Sequence, residues 1–265
     1  MKTICFVNNK GGVGKTTSAQ NVGVALYRYT QSKVLFIDLD AQASLTRCFG
    51  YNNLDFLHAD SSSFISGELD FEDVVVRMEV GDLLPASMAF TIREDRIKAS
   101  PIFPFNLKFA LEKVKYQYDF VVIDCPPTLS TAARIALTAS DYYFVPLQAE
   151  YLSYEGLRNF LNFASQLSII SPNLKLGGVF ATRYNPKSRR KLSNDIIATT
   201  KQQLNGNFMS SYIRDSVAIP ESQANGKDIF IYNEDSKAAV DYYNLTKEMV
   251  SKKFTKNLME QLMRV

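Results

Sequence analysis
The apolar stretch Ile4-Cys5-Phe6-Val7 runs directly into Asn8-Asn9-Lys10-Gly11-Gly12-Val13-Gly14-Lys15-Thr16-Thr17. Apolar residues then recur at helical spacing: Ala19, Val22, Leu26 and Tyr29. A strand that feeds a glycine-rich turn and then a helix is the context in which glycines cradle phosphate. This arrangement commits the start of the chain to a strand–loop–helix unit. It also calls for a sheet in which the strand is buried on both faces.

The loop supplies the parts of such a cradle. Gly11, Gly12 and Gly14 let backbone N–H groups approach a ligand closely. The following helix adds unpaired N–H groups and a partial positive charge at its N-terminus. Lys15 is placed to reach the β- and γ-phosphates of a nucleotide, Thr16 to set its hydroxyl on Mg2+, and Thr17 to contact the α-phosphate. Asn9 stands five positions before Gly14, where the ordinary pattern has its first glycine. Lys10 is a second lysine that a phosphate loop does not need.

Two further strands end in acids. Phe120-Val121-Val122-Ile123 runs into Asp124 and is stopped by Pro126-Pro127. Val34-Leu35-Phe36-Ile37 runs into Asp38-Leu39-Asp40. Carboxylates at strand ends facing the loop are what a Mg2+–nucleotide site requires. Asp124 is expected to hold Mg2+ through water. Strand alternation places Asp38 and Asp40 on one side, both toward the phosphates, where one could position the attacking water. Hydrolysis of this kind needs no nucleophilic side chain, so His58 and Cys125 are assigned no chemistry.

The remaining sequence sets bounds. A net charge of +3 is too small to establish a nucleic-acid partner by itself. Cys5, Cys48 and Cys125 are too widely spaced for a metal site or disulfide scaffold, which suits reduced thiols in the cytoplasm. The first strand begins almost at the first residue, so no signal peptide is expected. No apolar run approaches the ~20 residues of a membrane span.

Apolar runs over 4–7, 34–37, 120–123, 143–147 and 176–181 read as strands. Between them the pattern predicts helices over 16–29, 107–116, 129–139, 154–167 and 189–204. The alternation implies an α/β fold: a single-domain, doubly wound, mostly parallel sheet with helices on both faces. Residues 52–106 are the hardest to place. They are expected to hold short helices and a strand near Asp82-Leu83-Leu84, within one domain spanning 1–265 that closes on a helix from about 236 to 263.

Taken together these residues resemble the ParA/MinD family of P-loop ATPases with a deviant Walker A loop. Lys10-Gly-Gly-Val-Gly-Lys-Thr-Thr is similar to the family's signature loop. Asp38-Leu39-Asp40-Ala41-Gln42 resembles its acid-x-acid-x-Gln segment, and Asp124-Cys125-Pro126-Pro127 its Asp-x-Pro-Pro. Three later stretches resemble the ParA branch: Val145 to Glu150 leading to Glu155-Gly156-Leu157, Ile213-Arg214-Asp215-Ser216, and Glu221-Ser222 to Gly226-Lys227. The resemblance covers nearly the whole chain in one register.

The resemblance implies an ATPase of weak intrinsic rate that uses ATP and Mg2+. It implies a homodimer that sandwiches two ATP molecules, with Lys10 reaching across to the partner's phosphates. Asp40 matches the acid that orients water, and Asp38 a Mg2+ or switch position. Thr182, Arg183 and Pro220 fall in the base-binding region. The resemblance further implies cytoplasmic, nucleoid-associated DNA partitioning: the ATP-bound dimer binds DNA without sequence preference, and a ParB-type centromere-binding protein stimulates hydrolysis and release.

Basic residues offer DNA contacts: Lys187, Arg189, Arg190 and Lys191 in one cluster, Arg214, and the C-terminal Lys252 and Lys253. Ala218 stands where the family often has a second basic residue after the position of Arg214. Val250, Phe254, Leu258 and Leu262 recur every four residues among lysines, a pattern that also suits a MinD-like helix lying on a membrane. We read it as a final helix packed on the core. Besides the MinD-like membrane role, a ParA-like positioner of a non-DNA cargo is the other alternative.

Overall fold
The computed structural model describes residues 1–150, 153–187 and 191–254. Seven strands form one sheet: β1 (Lys2–Phe6), β2 (Val34–Asp38), β3 (Val76–Met78), β4 (Gly81–Leu84), β5 (Phe120–Asp124), β6 (Tyr142–Gln148) and β7 (Lys175–Thr182). Their order is β3-β4-β2-β5-β1-β6-β7, and every pairing is parallel except β3 with β4. The five strands expected from the sequence and the one near Asp82 are all present.

Alternation along the strands divides the core into two layers. Cys5, Leu35, Ile37, Val121 and Ile123 pack on one face of the sheet, and Ile4, Phe6, Val34, Phe36 and Val122 on the other. Side chains two residues apart share a face, so a strand covered on both sides must be apolar throughout.

Helix α1 (Lys15–Thr30) lies on the second face, where Val22 and Leu26 are buried. Gly23 brings it close: a Cβ there would sit 2.1 Å from the Phe36 ring. The helix stops where Gln31 turns into the left-handed region, at φ 55°. Short helices α2 (Ser44–Cys48), α3 (Ser61–Ser66) and α4 (Phe71–Val74) follow, then α5 (Ala89–Ala99) and α6 (Asn106–Glu112). Helix α6 is shorter than the 107–116 predicted, because the chain tightens at Val114 and Gln117 into bonds to residues three positions back. Next come α7 (Thr131–Ala139), α8 (Ser153–Leu167), α9 (Lys191–Gln203), α10 (Ala218–Ala224), α11 (Ile229–Tyr232) and α12 (Lys237–Lys253). Leu157, Phe160, Ala164 and Leu167 give α8 its apolar stripe on the first face.

Ser61-Ser62-Ser63 opens one of the short helices expected over 52–106. The buried Asp60 carboxylate accepts from Ser63 N–H at 3.1 Å and from the hydroxyls of Ser62 and Ser87. This capping satisfies N–H groups that would otherwise have no partner.

Candidate nucleotide site
The glycine loop lies at the carboxyl edge of the sheet, where open α/β sheets bind their ligands. It leaves β1 between β5 and β6, with Phe6, Asp124 and Asp38 in one row across three strands. Gly14 caps α1 at φ 93° and Gly12 sits at φ 72°, conformations that only glycine adopts freely. A Cβ at Gly11 or Gly12 would meet nothing within 4 Å, so the space over the loop is open.

Neighbouring strands hold the loop from the sides. Thr182 Oγ1 donates to Val13 O at 2.9 Å, and Gln148 Nε2 donates to Gly12 O at 2.9 Å. Asn8 Oδ1 accepts from Lys10 N–H at 3.0 Å. The side chain of Asn9 lies against Gly156, where a Cβ would come within 3.4 Å of Asn9 Oδ1. The residue that departs from the ordinary loop pattern is thus seated against a glycine of α8.

Lys15 is buried, and its Nζ donates to Lys10 O at 3.0 Å. Burial pushes its pKa down, against the pull of Asp124, Cys125 and Asp40. Lys10 Nζ turns the other way and pairs with the Glu150 carboxylate. The two lysines of the loop therefore have different surroundings, one inside the cradle and one at its rim.

Thr16 Oγ1 donates to Asp124 Oδ2 at 2.6 Å, and Asp124 Oδ1 is buried with no hydrogen-bond partner. Burial, and then the charge of Asp38, pushes the Asp124 carboxyl up strongly. A buried oxygen without a donor, beside a threonine hydroxyl, fits a hydrated Mg2+ ion.

Asp38 does not open onto the loop as strand alternation suggested. It is fully buried. Its Oδ2 accepts from Thr46 N–H and Thr46 Oγ1, both at 2.9 Å, and its Oδ1 from Asp40 N–H at 3.1 Å. Its oxygens are occupied by protein donors, so its observed work is to fix the turn that carries Asp40. Asp40 is half-buried, and its Oδ1 accepts from Gln42 N–H at 2.9 Å. Sequence reasoning missed Thr46, whose hydroxyl also accepts from Ala86 N–H at 2.9 Å.

A cavity of about 780 Å³ continues from Gly12–Thr17 to Thr182, Arg183 and Pro220, the expected base-binding residues. Arg183 has φ 49°, an uncommon conformation for a residue with a Cβ and the kind of strain that concentrates at binding sites. Gln223 and Arg47 line the same cavity, and neither was singled out in the sequence. Gln223 Nε2 donates to Thr17 Oγ1 at 3.0 Å, tying α10 to the loop.

The described candidate DNA-binding residues lie in different surroundings. Lys187 and Lys191 are exposed beyond the carboxyl end of β7, and Arg189 and Arg190 lie outside the described residues. Arg214 is committed to Asp241 through bonds of 2.6, 2.9 and 3.1 Å, and it lines the nucleotide cavity. Lys252 pairs with Glu248 at 2.7 Å. Lys253 neighbours Lys252 and Lys175, at the opposite end of β7 from Thr182. Arg214 and Lys252 are therefore paired cations here, not free ones.

The final helix is described to Lys253, and Leu258 and Leu262 lie outside the described residues. Val250 is buried, and the Phe254 ring packs on Phe120 and Tyr142 at 5.1 and 5.7 Å. Among the described residues no helix is long and apolar enough to cross a membrane, and no group of three or more His, Cys, Asp or Glu residues is arranged to hold a metal.

A mostly parallel sheet that carries such a loop after an interior strand defines a P-loop nucleotide-binding protein. A family profile described as "AAA domain" matches residues 1–176. The sporulation initiation inhibitor protein Soj of Bacillus subtilis is 32% identical, over 94% of this chain and 98% of Soj. The virulence plasmid ParA family protein pGP5-D of Chlamydia psittaci is 34% identical, over 98% of this chain and 99% of that protein. The chain belongs to the ParA/Soj family of partitioning ATPases. Among solved structures, a protein described as cobyrinic acid a,c-diamide synthase from Mycobacterium smegmatis, with bound ATP analog and magnesium, superposes with a TM-score of 0.77. It is 30% identical, over 94% of this chain and 98% of that one.

Proposed function
We propose that this chain is an Mg2+-ATP-driven switch that partitions DNA. The observation that carries the reading is the division of labour between the loop lysines. Lys15 is buried in the cradle, whereas Lys10 extends to a solvent-exposed rim beside Glu150. The amide groups of Gly11–Thr17 and the start of α1 would hold the phosphates of ATP. Thr16 and Asp124 would hold Mg2+, which supplies neutralising charge when bound. Thr182, Arg183 and Pro220 would surround the base. Asp38 holds the backbone of Asp40, and Asp40 orients the attacking water. Lys10 of each protomer would reach the other's phosphates, so that hydrolysis depends on a homodimer.

In this reading the ATP-bound dimer binds DNA without sequence preference through exposed cations, among them Lys187 and Lys191. A ParB-type partner then accelerates a slow intrinsic hydrolysis and releases the DNA. The tail supports this over a MinD-like membrane role, since Val250 and Phe254 are already spent on the core.

The test is a DNA-binding titration with ATP, with ADP and without nucleotide, repeated across salt. Binding only with ATP, and with a steep salt slope, is expected. Equal binding in all three states would break the link between nucleotide and function.

A further inference from the structure
The end of β6 and the turn after it meet the glycine loop at three points. Asn8 Nδ2 donates to Pro146 O at 2.8 Å, Gln148 Nε2 donates to Gly12 O at 2.9 Å, and the Glu150 carboxylate pairs with Lys10 Nζ. The backbone of Glu150 is itself fixed. Its N–H donates to Gln148 O at 2.9 Å, and its carbonyl accepts from Ser153 N–H, also at 2.9 Å, at the start of α8. The pairs Lys98–Glu94 and Lys115–Glu112 each join residues within a turn of one another. Lys10 and Glu150 are 140 positions apart and join two segments at the mouth of the nucleotide site.

Lys10 is thus engaged at both its backbone and its side chain. Its carbonyl accepts from Lys15 Nζ, and its own ammonium is neutralised by Glu150. The Lys10 side chain is 39% exposed and that of Glu150 60%. Solvent reaches both groups, so the pair is weak enough to exchange for a stronger anion. The polyphosphate of a second protomer's nucleotide is such an anion.

We propose that Glu150 is a positioning residue that holds Lys10 over its own loop in the single protomer and releases it when the dimer forms. The proposal rests on the reading of Lys10 as a lysine that acts across the dimer. Two pairs break per dimer, one in each protomer, so removing the carboxylate favours association twice over.

The experiment compares wild type with Glu150→Gln and Glu150→Asp, using sedimentation with ATP and Mg2+ to measure dimer formation. At low salt the dimer dissociation constant of Glu150→Gln is expected to fall by about 2- to 30-fold, with Glu150→Asp in between. The difference is expected to close toward 1 M salt, where screening acts within about 3 Å. A second measurement does not depend on dimerisation. In the nucleotide-free protein, an amine-acylating ester is expected to modify Lys10 faster in Glu150→Gln than in wild type, read by mass spectrometry. Equal acylation, or a dimer no tighter than wild type, would overturn the proposal. If wild type does not associate with ATP at all, the trans role of Lys10 fails, and the acylation rates alone decide whether Glu150 holds it.

Discussion

Thr16 and Asp124 are 108 positions apart, yet Thr16 Oγ1 donates to Asp124 Oδ2 at 2.6 Å while the other oxygen of Asp124 is buried without a partner. The contact joins the first turn of α1 to the end of β5, the two places from which a Mg2+ ion would be held. Asp124→Asn keeps an oxygen for Thr16 and removes the charge. In this variant Mg2+ should no longer raise ATP affinity, a loss of about 10- to 100-fold in the metal-dependent gain. Calorimetric titration of ATP with and without Mg2+ checks this. A variant that retains the full Mg2+ effect would remove Asp124 from the site.

Asp38 gives a pH dependence with a definite sign. Burial pushes its carboxyl up to about 6, against the hydrogen bonds from Thr46 and the Asp40 N–H that pull it down. The folded protein therefore keeps a proton that the unfolded chain, near the ordinary 3.8, gives up earlier. Stability from this group is fully present below that ordinary value and is lost as pH rises from about 4 to about 6. Asp124, also pushed up, adds to the same slope. Urea unfolding between pH 4 and 7 in the presence of EDTA should show wild type losing stability relative to Asp38→Asn as pH rises. Parallel curves would mean that the Asp38 carboxyl is not shifted by folding.

The sheet was legible because β1, β2 and β5 are apolar on both faces and end in the loop or in acids, so pattern and function marked the same residues. The cradle was legible for a similar reason: Gly14 and Lys15 are needed locally, at fixed spacing. Residues 52–106 were opaque because their structure depends on distant partners. Asp60 caps α3 only with help from Ser87, and β3 is a three-residue edge strand antiparallel to β4. The partners of Asp38 were hidden for a physical reason of the same kind. Alternation shows which side a residue faces, but not that Thr46 waits there with two donors. Gln148 and Glu150 stood within a recognised stretch, yet their contacts to Gly12 and Lys10 exist only once β6 is beside β1.

Gly23 is a packing requirement that no functional role explains. Its added Cβ would lie 2.1 and 2.7 Å from two atoms of the Phe36 ring, between α1 and the sheet. Alanine is the better helix former, so propensity alone predicts that Gly23→Ala stabilises by about 1 kcal/mol. Overpacking should win, at a net cost of about 1–3 kcal/mol. Thermal unfolding should show a lowered Tm, and Phe36→Leu in the same chain should recover part of the loss. A raised Tm in the single variant would show that the ring moves aside freely.

Asp40 separates binding from turnover. Its backbone is fixed by Asp38 and its Oδ1 by Gln42 N–H, so its carboxylate is held in a fixed turn. In the proposed switch the Mg2+ contacts would fall to Thr16 and Asp124, and the phosphate contacts to Lys15 and the loop amides. Asp40→Ala should therefore leave ATP affinity intact and slow hydrolysis by about 10²- to 10⁴-fold, the range for losing a positioned acid or base. If the proposed switch operates, the bound ATP would persist, and with it an ATP-held dimer bound to DNA. Single-turnover hydrolysis measured beside ATP binding checks the split. Normal turnover would move the water-orienting role to another residue, and weakened ATP binding would show that Asp40 also supports the ground-state complex.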